Sequence, residues 1–277
     1  MPPEISDDVT AAQLDRAARG RLRTLSKENA DGVARHLVMA GLLLDSDPEL
    51  AYQHAQAAVR RAGRVDVVRE AAGLAAYRTG RHAEALSELR TVRRLNGSSD
   101  HLAVMADCER GLGRPERAIA LGASPEARAL AEEPAIELAI VISGARRDLG
   151  ESEAALAVLA TPLVRQARGL LRVRVAQARA EALIASGDTQ GAEAELAEFD
   201  DRQLAEAAGE WPSEDEEVIV FDLAADDAVE IATGSDLAGD GMAGDADVVL
   251  GDDVVLGDDA WSDPAGSSDA GPDQAPA

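Results

Sequence analysis

Aromatic residues make up only 2% of the 277 residues, with Trp, Tyr and Phe each occurring twice. A β-sandwich or barrel draws heavily on such side chains, so their scarcity argues against both. There is a single cysteine, Cys108, which excludes an intrachain disulfide and with it a disulfide-stapled extracellular scaffold. Lys27 is the only lysine, so almost all positive charge is arginine. No run of 18 apolar residues occurs, so no membrane-spanning helix is expected. The opening MPPEISDD has neither a basic start nor an apolar stretch, so a secretory signal is not expected and the cytoplasm is the predicted location. Basic residues are also missing from residues 212–277, which hold 19 of the 52 acids.

What is present is Ala, Leu and Val. Hydrophobic residues reach 46% with very few rings. Ala and Leu are strong helix formers, so the composition predicts an all-α fold. The formal charge of −25 is uneven. Residues 1–211 carry 33 acids and 27 bases, a net of −6, and the remainder is wholly acidic.

The clearest organised stretch is Glu70–Leu95, EAAGLAAYRTGRHAEALSELRTVRRL. Ala72, Gly73 and Ala76–Tyr77 mark one helix, Thr79-Gly80-Arg81 a turn, and Ala85, Leu86, Leu89 and Val92 a second helix. Apolar and small residues three and four apart give each helix one buryable stripe. Such a pair needs neighbours of its own kind. Aligned on the turn, copies appear at Ser46, Gly80, Gly113, Gly150 and Gly187, spaced 34, 33, 37 and 37 residues. Five residues later stand Ala51, Ala85, Ala118, Ala155 and Ala192. Seven residues earlier stand Met39, Gly73, Ala106, Ser143 and Ala180, all small but the first. Nine residues after the turn come Ala55, Leu89, Gly122, Leu159 and Leu196. Asp47-Pro48, Arg114-Pro115 and Asp188-Thr189 suit helix starts.

This pattern resembles the tetratricopeptide (TPR) repeat, a 34-residue helical hairpin that stacks into a solenoid. The likeness covers about residues 32–205 in five degenerate copies, near 32–65, 66–99, 100–135, 136–172 and 173–205. The run VARHLVMAGLLLDSDPELAYQHAQAAVRRAGRVDVVREAAG is also similar to actinobacterial TPR proteins, a likeness that implies no activity. The fourth and fifth copies are three residues long for the family, and the third has a short second helix followed by a Ser124-Pro125 break. The expected organisation is a disordered leader over 1–9, a TPR-like α-solenoid over 10–211, and a disordered acidic tail over 212–277 with short apolar motifs. Within the solenoid, one helix is expected from Thr10 to about Leu25 and another from Ser26 or Lys27 to Leu44, with Asn29–Gly32 as a break.

The family's architecture implies a groove lined by the first helix of each hairpin. Residues one to three before each turn then become partner-binding candidates: Tyr77, Arg78, Arg110, Arg146 and Arg147, with Arg174 at the start of the last first-helix. Guanidinium groups suit carboxylate or phosphate. The competing reading pairs these arginines with neighbours such as Glu70, Asp107, Asp148 and Glu181. The positions facing the clamp by which some TPR domains grip a chaperone's C-terminal carboxylate hold His36, Ala40, Glu70 and Leu74, and do not fit it.

In the acidic segment, EVIVFDL supplies a candidate docking motif, Val218, Ile219, Val220, Phe221 and Leu223, and VVLGDD occurs twice in tandem from Val248. Apolar islands among acids suit short binding motifs. They make the tail itself a candidate ligand of the arginines.

Catalytic constellations are not expected. Cys108 reads as a small core residue. His36, His54, His82 and His101 lie in different helical segments, with no metal-ligand spacing. No phosphate-binding glycine loop occurs. The Gly-Asp steps of the tail lack the period of calcium-binding repeats, so neither a metal nor a cofactor is expected. The reading is a non-enzymatic scaffold that binds a protein partner, with its acidic tail a possible regulator. The alternative is a nucleic-acid- or ribosome-associated factor using Arg16–Arg23 and Arg60, Arg61, Arg64, Arg90, Arg93 and Arg94. The net negative charge disfavours nucleic acid.

Overall fold

The computed structural model describes residues 2–209, and within them the fold is all-α. Twelve α-helices follow one another, with short 3₁₀ turns and no strand among the described residues. None of these helices is long and apolar enough to cross a membrane. The expectations for residues 212–277, including Val218, Ile219, Val220, Phe221 and Leu223, lie outside the described residues.

Helix α1 (Arg16–Arg21) leads into ten helices arranged as five pairs. The pairs are α2 (Lys27–Leu43) with α3 (Pro48–Ala62), α4 (Asp66–Arg78) with α5 (His82–Asn96), α6 (Leu102–Gly111) with α7 (Pro115–Gly122), α8 (Glu132–Asp148) with α9 (Ser152–Leu159), and α10 (Gly169–Ser186) with α11 (Thr189–Leu196). Helix α12 (Asp201–Ala208) closes the described chain and packs on α10. Every helix from α2 to α10 packs against the next in sequence. First helices also meet across pairs, α2 with α4, α6 with α8 and α8 with α10.

One turn chemistry recurs. Gly80, Gly113, Gly150 and Gly187 end α4, α6, α8 and α10 with φ between 70° and 91°, a conformation that side chains with a Cβ adopt at a cost. The residue after each glycine donates its N–H five residues back: Arg81 to Ala76, Arg114 to Glu109, Glu151 to Arg146 and Asp188 to Leu183. These bonds satisfy carbonyls that the helix end leaves open and reverse the chain. Asp47 and Asp188 then start second helices by accepting from Leu50 N–H and Gly191 N–H, and Pro48 and Pro115 occupy first positions where no N–H is needed.

Small residues set how closely helices approach. Ala51, Ala85, Ala118 and Ala155 are fully buried, and Ala192 nearly so. A Cβ added to Gly73 would lie 2.8 Å from Leu89 of the paired helix, and one on Gly122 would lie 2.8 Å from Ile142 of α8. Large side chains at these points would hold the axes apart.

Several boundaries differ from expectation. The helix expected from Thr10 to Leu25 is divided. Ala11–Gln13 is a 3₁₀ turn, and Asp15 caps a new helix by accepting from Ala17 and Ala18 N–H. That local hydrogen bonding competes with a continuous helix. The break expected at Asn29–Gly32 is absent from α2, where Gly32 lets the Arg61 guanidinium lie against the backbone. At the leader, Val9 is buried, and Arg35 donates from Nε to Val9 O at 2.7 Å and from Nη2 to Ser6 O. Residues 6–9 are therefore tied to α2 instead of forming a free leader. Helices α2, α8 and α10 begin four or five residues before the expected repeat windows, because these first helices run to 17 or 18 residues.

Candidate functional site

The arginines nominated from the sequence are paired, one by one. Arg78 donates to Asp45 at 2.6 Å, Arg110 to Asp107 at 2.7 Å and to Asp148 at 2.8 Å, Arg146 to Glu151 at 2.6 Å. Arg147 lies 2.6 Å from Glu181, and Arg174 bonds Glu137. Asp107, Asp148 and Glu181 are among the neutralising partners that the sequence offered; Glu70 instead meets His101 at 2.9 Å.

These contacts share a spacing. Arg78–Asp45 spans 33 residues, Arg93–Glu126 33, Arg81–Glu49 32, Arg174–Glu137 37 and Arg110–Asp148 38. Each joins one hairpin to its neighbour at about one repeat length. Tyr52 follows the same rule, donating to Glu84 at 2.8 Å across 32 residues, with Arg81 over its ring at 4.3 Å. Most of the guanidinium groups thus bridge hairpins, Arg146 staying within its own with Glu151, and the charge of the nominated arginines is matched locally. Of the basic residues named for nucleic acid, Arg21 bonds Asp66, Arg90 bonds Glu109 and Arg93 bonds Glu126, whereas Arg16, Arg19, Arg23, Arg60, Arg61, Arg64 and Arg94 make no ion pair among the described residues.

The structure brings two of the six nominated residues, Tyr77 and Arg174, into one cleft of about 600 Å³. Its walls come from first helices: Tyr77 of α4, then Ala103, Val104 and Asp107 of α6. Glu133, Pro134, Glu137 and Val141 follow from α8, and Leu170, Leu171 and Arg174 from α10. Asp100 and Arg168, just before α6 and α10, complete it. Val104, Val141 and Leu171 form an apolar floor that is continuous with the core, and Leu170 is 43% exposed at the edge.

Tyr77 donates its hydroxyl to Asp107 at 2.7 Å, and burial followed by that carboxylate pushes its pKa upward. Arg110 holds the other Asp107 oxygen and reaches Asp148 beyond. Asp107 therefore stands between the cleft and a second hollow lined by His82, Arg110 and Asp148. Burial raises the pKa of Glu137, with Arg174 acting against it.

Arg78, Arg110, Arg146 and Arg147 do not line the cleft. Sequence reasoning passed over Asp100, Val104, Glu133, Leu170 and Arg168. A signal for most of them existed. Asp100, Ala103, Val104 and Asp107 follow the i, i+3, i+4, i+7 rule of one helical face, and Glu133, Glu137 and Val141 repeat every four residues. His82 packs by the Tyr77 ring at 6.3 Å between centroids, with Gly111 leaving it room, in keeping with a packing role. Cys108 is fully buried, and burial pushes its thiol pKa up to about 12. No group of three or more His, Cys, Asp or Glu in metal-binding proximity occurs among the described residues.

Comparison with protein-family models, with curated proteins and with solved structures finds no match.

Proposed function

We propose that the chain is a TPR-type stack of five helical hairpins that serves as a non-enzymatic scaffold and takes an extended segment of a protein partner in the cleft of α4, α6, α8 and α10. One observation carries the reading: four successive first helices contribute to a single open cleft with an apolar floor and polar rim. That is the make-up of a peptide site, where apolar area gives affinity and a few placed polar groups give orientation. Support for the repeat type comes from the four identical glycine turns and from the buried alanine five residues after each. Leu170 is an exposed apolar side chain at the edge of this cleft, as partner-facing residues often are.

The test is capture of interacting proteins by the full chain and by its Leu170→Glu variant. Ile184, 57% exposed and absent from the cleft lining, provides the matched control Ile184→Glu. Loss of captured partners in L170E but not in I184E is the expected result. Equal capture by all three chains would remove the cleft from consideration.

A further inference from the structure

The cleft carries more acid than base. Asp100, Asp107, Glu133 and Glu137 line it against Arg168 and Arg174. Three of the acids already accept hydrogen bonds, Glu137 from Arg174, Asp107 from Tyr77 and Arg110, and Asp100 from the Ser98 hydroxyl at 2.7 Å. Asp100 and Glu133 have no ion-pair partner among the described residues, and both are exposed. They stand at the starts of α6 and α8, beside the apolar floor of Val104 and Val141. The whole chain, at −25, draws cations toward any such site.

Resting on the scaffold reading above, we infer that the occupant of this cleft is a cationic peptide segment, one that sets a Lys or Arg side chain against Asp100 and Glu133 and an adjacent apolar side chain on Val104, Val141 and Leu171. Arg168 is an exposed base of the rim that likewise has no ion-pair partner among the described residues, but it stands against two such acids, so an anionic segment meets the less favourable balance of sign. The chain's own EDEEVIVFDLAADD is such a segment. Its sign is therefore opposite to what the cleft selects, although its apolar residues would suit the floor.

The test uses the full chain and three fluorescein-labelled octapeptides, alternating Lys-Leu, Ser-Leu and Glu-Leu, followed by fluorescence anisotropy at fixed ionic strength. The Lys-Leu peptide is expected to bind at least tenfold more tightly than Ser-Leu, and Glu-Leu not at all. The double variant D100N/E133Q, which alters two exposed side chains, is expected to lose about tenfold for Lys-Leu only, with an unchanged circular dichroism spectrum. Leu170→Ser, which removes the apolar edge without adding a charge, is expected to weaken every peptide that binds.

Lys-Leu binding that D100N/E133Q leaves untouched would mean capture by the acidic residues 212–277 and would overturn the inference. Tighter binding of Ser-Leu or Glu-Leu, or displacement of Lys-Leu by a peptide of residues 214–227, would overturn the charge class while the scaffold reading stands. Binding of no peptide, or binding indifferent to Leu170→Ser, would overturn both.

Discussion

The imidazoles of His36 and His54 face each other across the seam of α2 and α3, with their Nδ1 atoms 3.0 Å apart. Both side chains are buried. One nitrogen must donate and the other accept, so at least one ring is neutral in this geometry. Burial, then His54, then Arg61, Arg60 and Arg35 lower the His36 pKa from 6.5 to about 4, and burial lowers that of His54.

Stability should therefore fall with acid before the carboxylates titrate. A base whose folded pKa is depressed binds fewer protons folded than unfolded. The stability is intact above pH 6.5 and is lost as pH falls from there toward 4. At about 1.4 kcal/mol per pKa unit, the loss from His36 reaches on the order of 3 kcal/mol by pH 4, and His54 adds in the same direction. Urea unfolding at pH 7.5 and at pH 5 measures it. The variant His54→Leu should show a flatter dependence between these values than the native chain, and parallel curves would count against the pair.

The turn glycines make a second expectation. Gly113 has φ 70° with open space around it, so Gly113→Ala should cost about 1 kcal/mol through the backbone alone. Gly73 has ordinary helical geometry, but an added Cβ would lie 2.8 Å from Leu89 Cδ2. Gly73→Ala should cost about 1–3 kcal/mol by overpacking. Pairing it with Leu89→Val should recover part of that loss, whereas Gly113→Ala should gain nothing from the same partner. Chemical denaturation midpoints separate the two.

Glu109 is 2% exposed, with Arg90 Nη2 at 2.8 Å and Arg114 Nη1 at 3.6 Å. Removing both arginines strands a buried carboxylate, and R90A/R114A should cost about 3 kcal/mol. Glu109→Gln keeps the shape without the charge and should cost about 1 kcal/mol. A double variant no less stable than Glu109→Gln would show that the carboxylate does not depend on these partners.

Cys108 is fully buried, and its thiol pKa is pushed up to about 12. A thiol-specific reagent at pH 8 should leave the native chain unlabelled, because the reactive thiolate is scarce and out of reach. Labelling should appear at the rate of unfolding in added denaturant. Fast native labelling would contradict the packing of α6.

The repeated hairpin was legible in the sequence because its rules are local. A glycine in the left-handed region ends a helix whatever its neighbours do, and an alanine five residues later packs under the turn it follows. Gly80 with Ala85 and Gly113 with Ala118 therefore carried the register unaided. Boundaries were less legible. Asp15 accepts two backbone N–H groups and splits what periodicity reads as one helix, and Val9 is fixed by Arg35 from 26 residues away.

The cleft was half visible. Tyr77, found by counting from its turn, and Arg174, named at the start of the last first-helix, both line it. Arg78, Arg146 and Arg147 follow the same count but turn to Asp45, Glu151 and Glu181. Counting along a helix names a face, but it does not say which neighbour's acid that face will meet.

By itself, then, the amino-acid order determined an all-helical chain of paired helices, with glycine turns about 33–37 residues apart, through propensity, capping and small-residue spacing. Tertiary structure alone decided which charges cancel and which stay open. Arg110 reaches Asp148 and Arg174 reaches Glu137, while Asp100 and Glu133 remain unpaired among the described residues. The physical reason is that Coulomb attraction and burial act through space. They join residues a full repeat apart once the hairpins stack, and no local rule of the chain sees that distance.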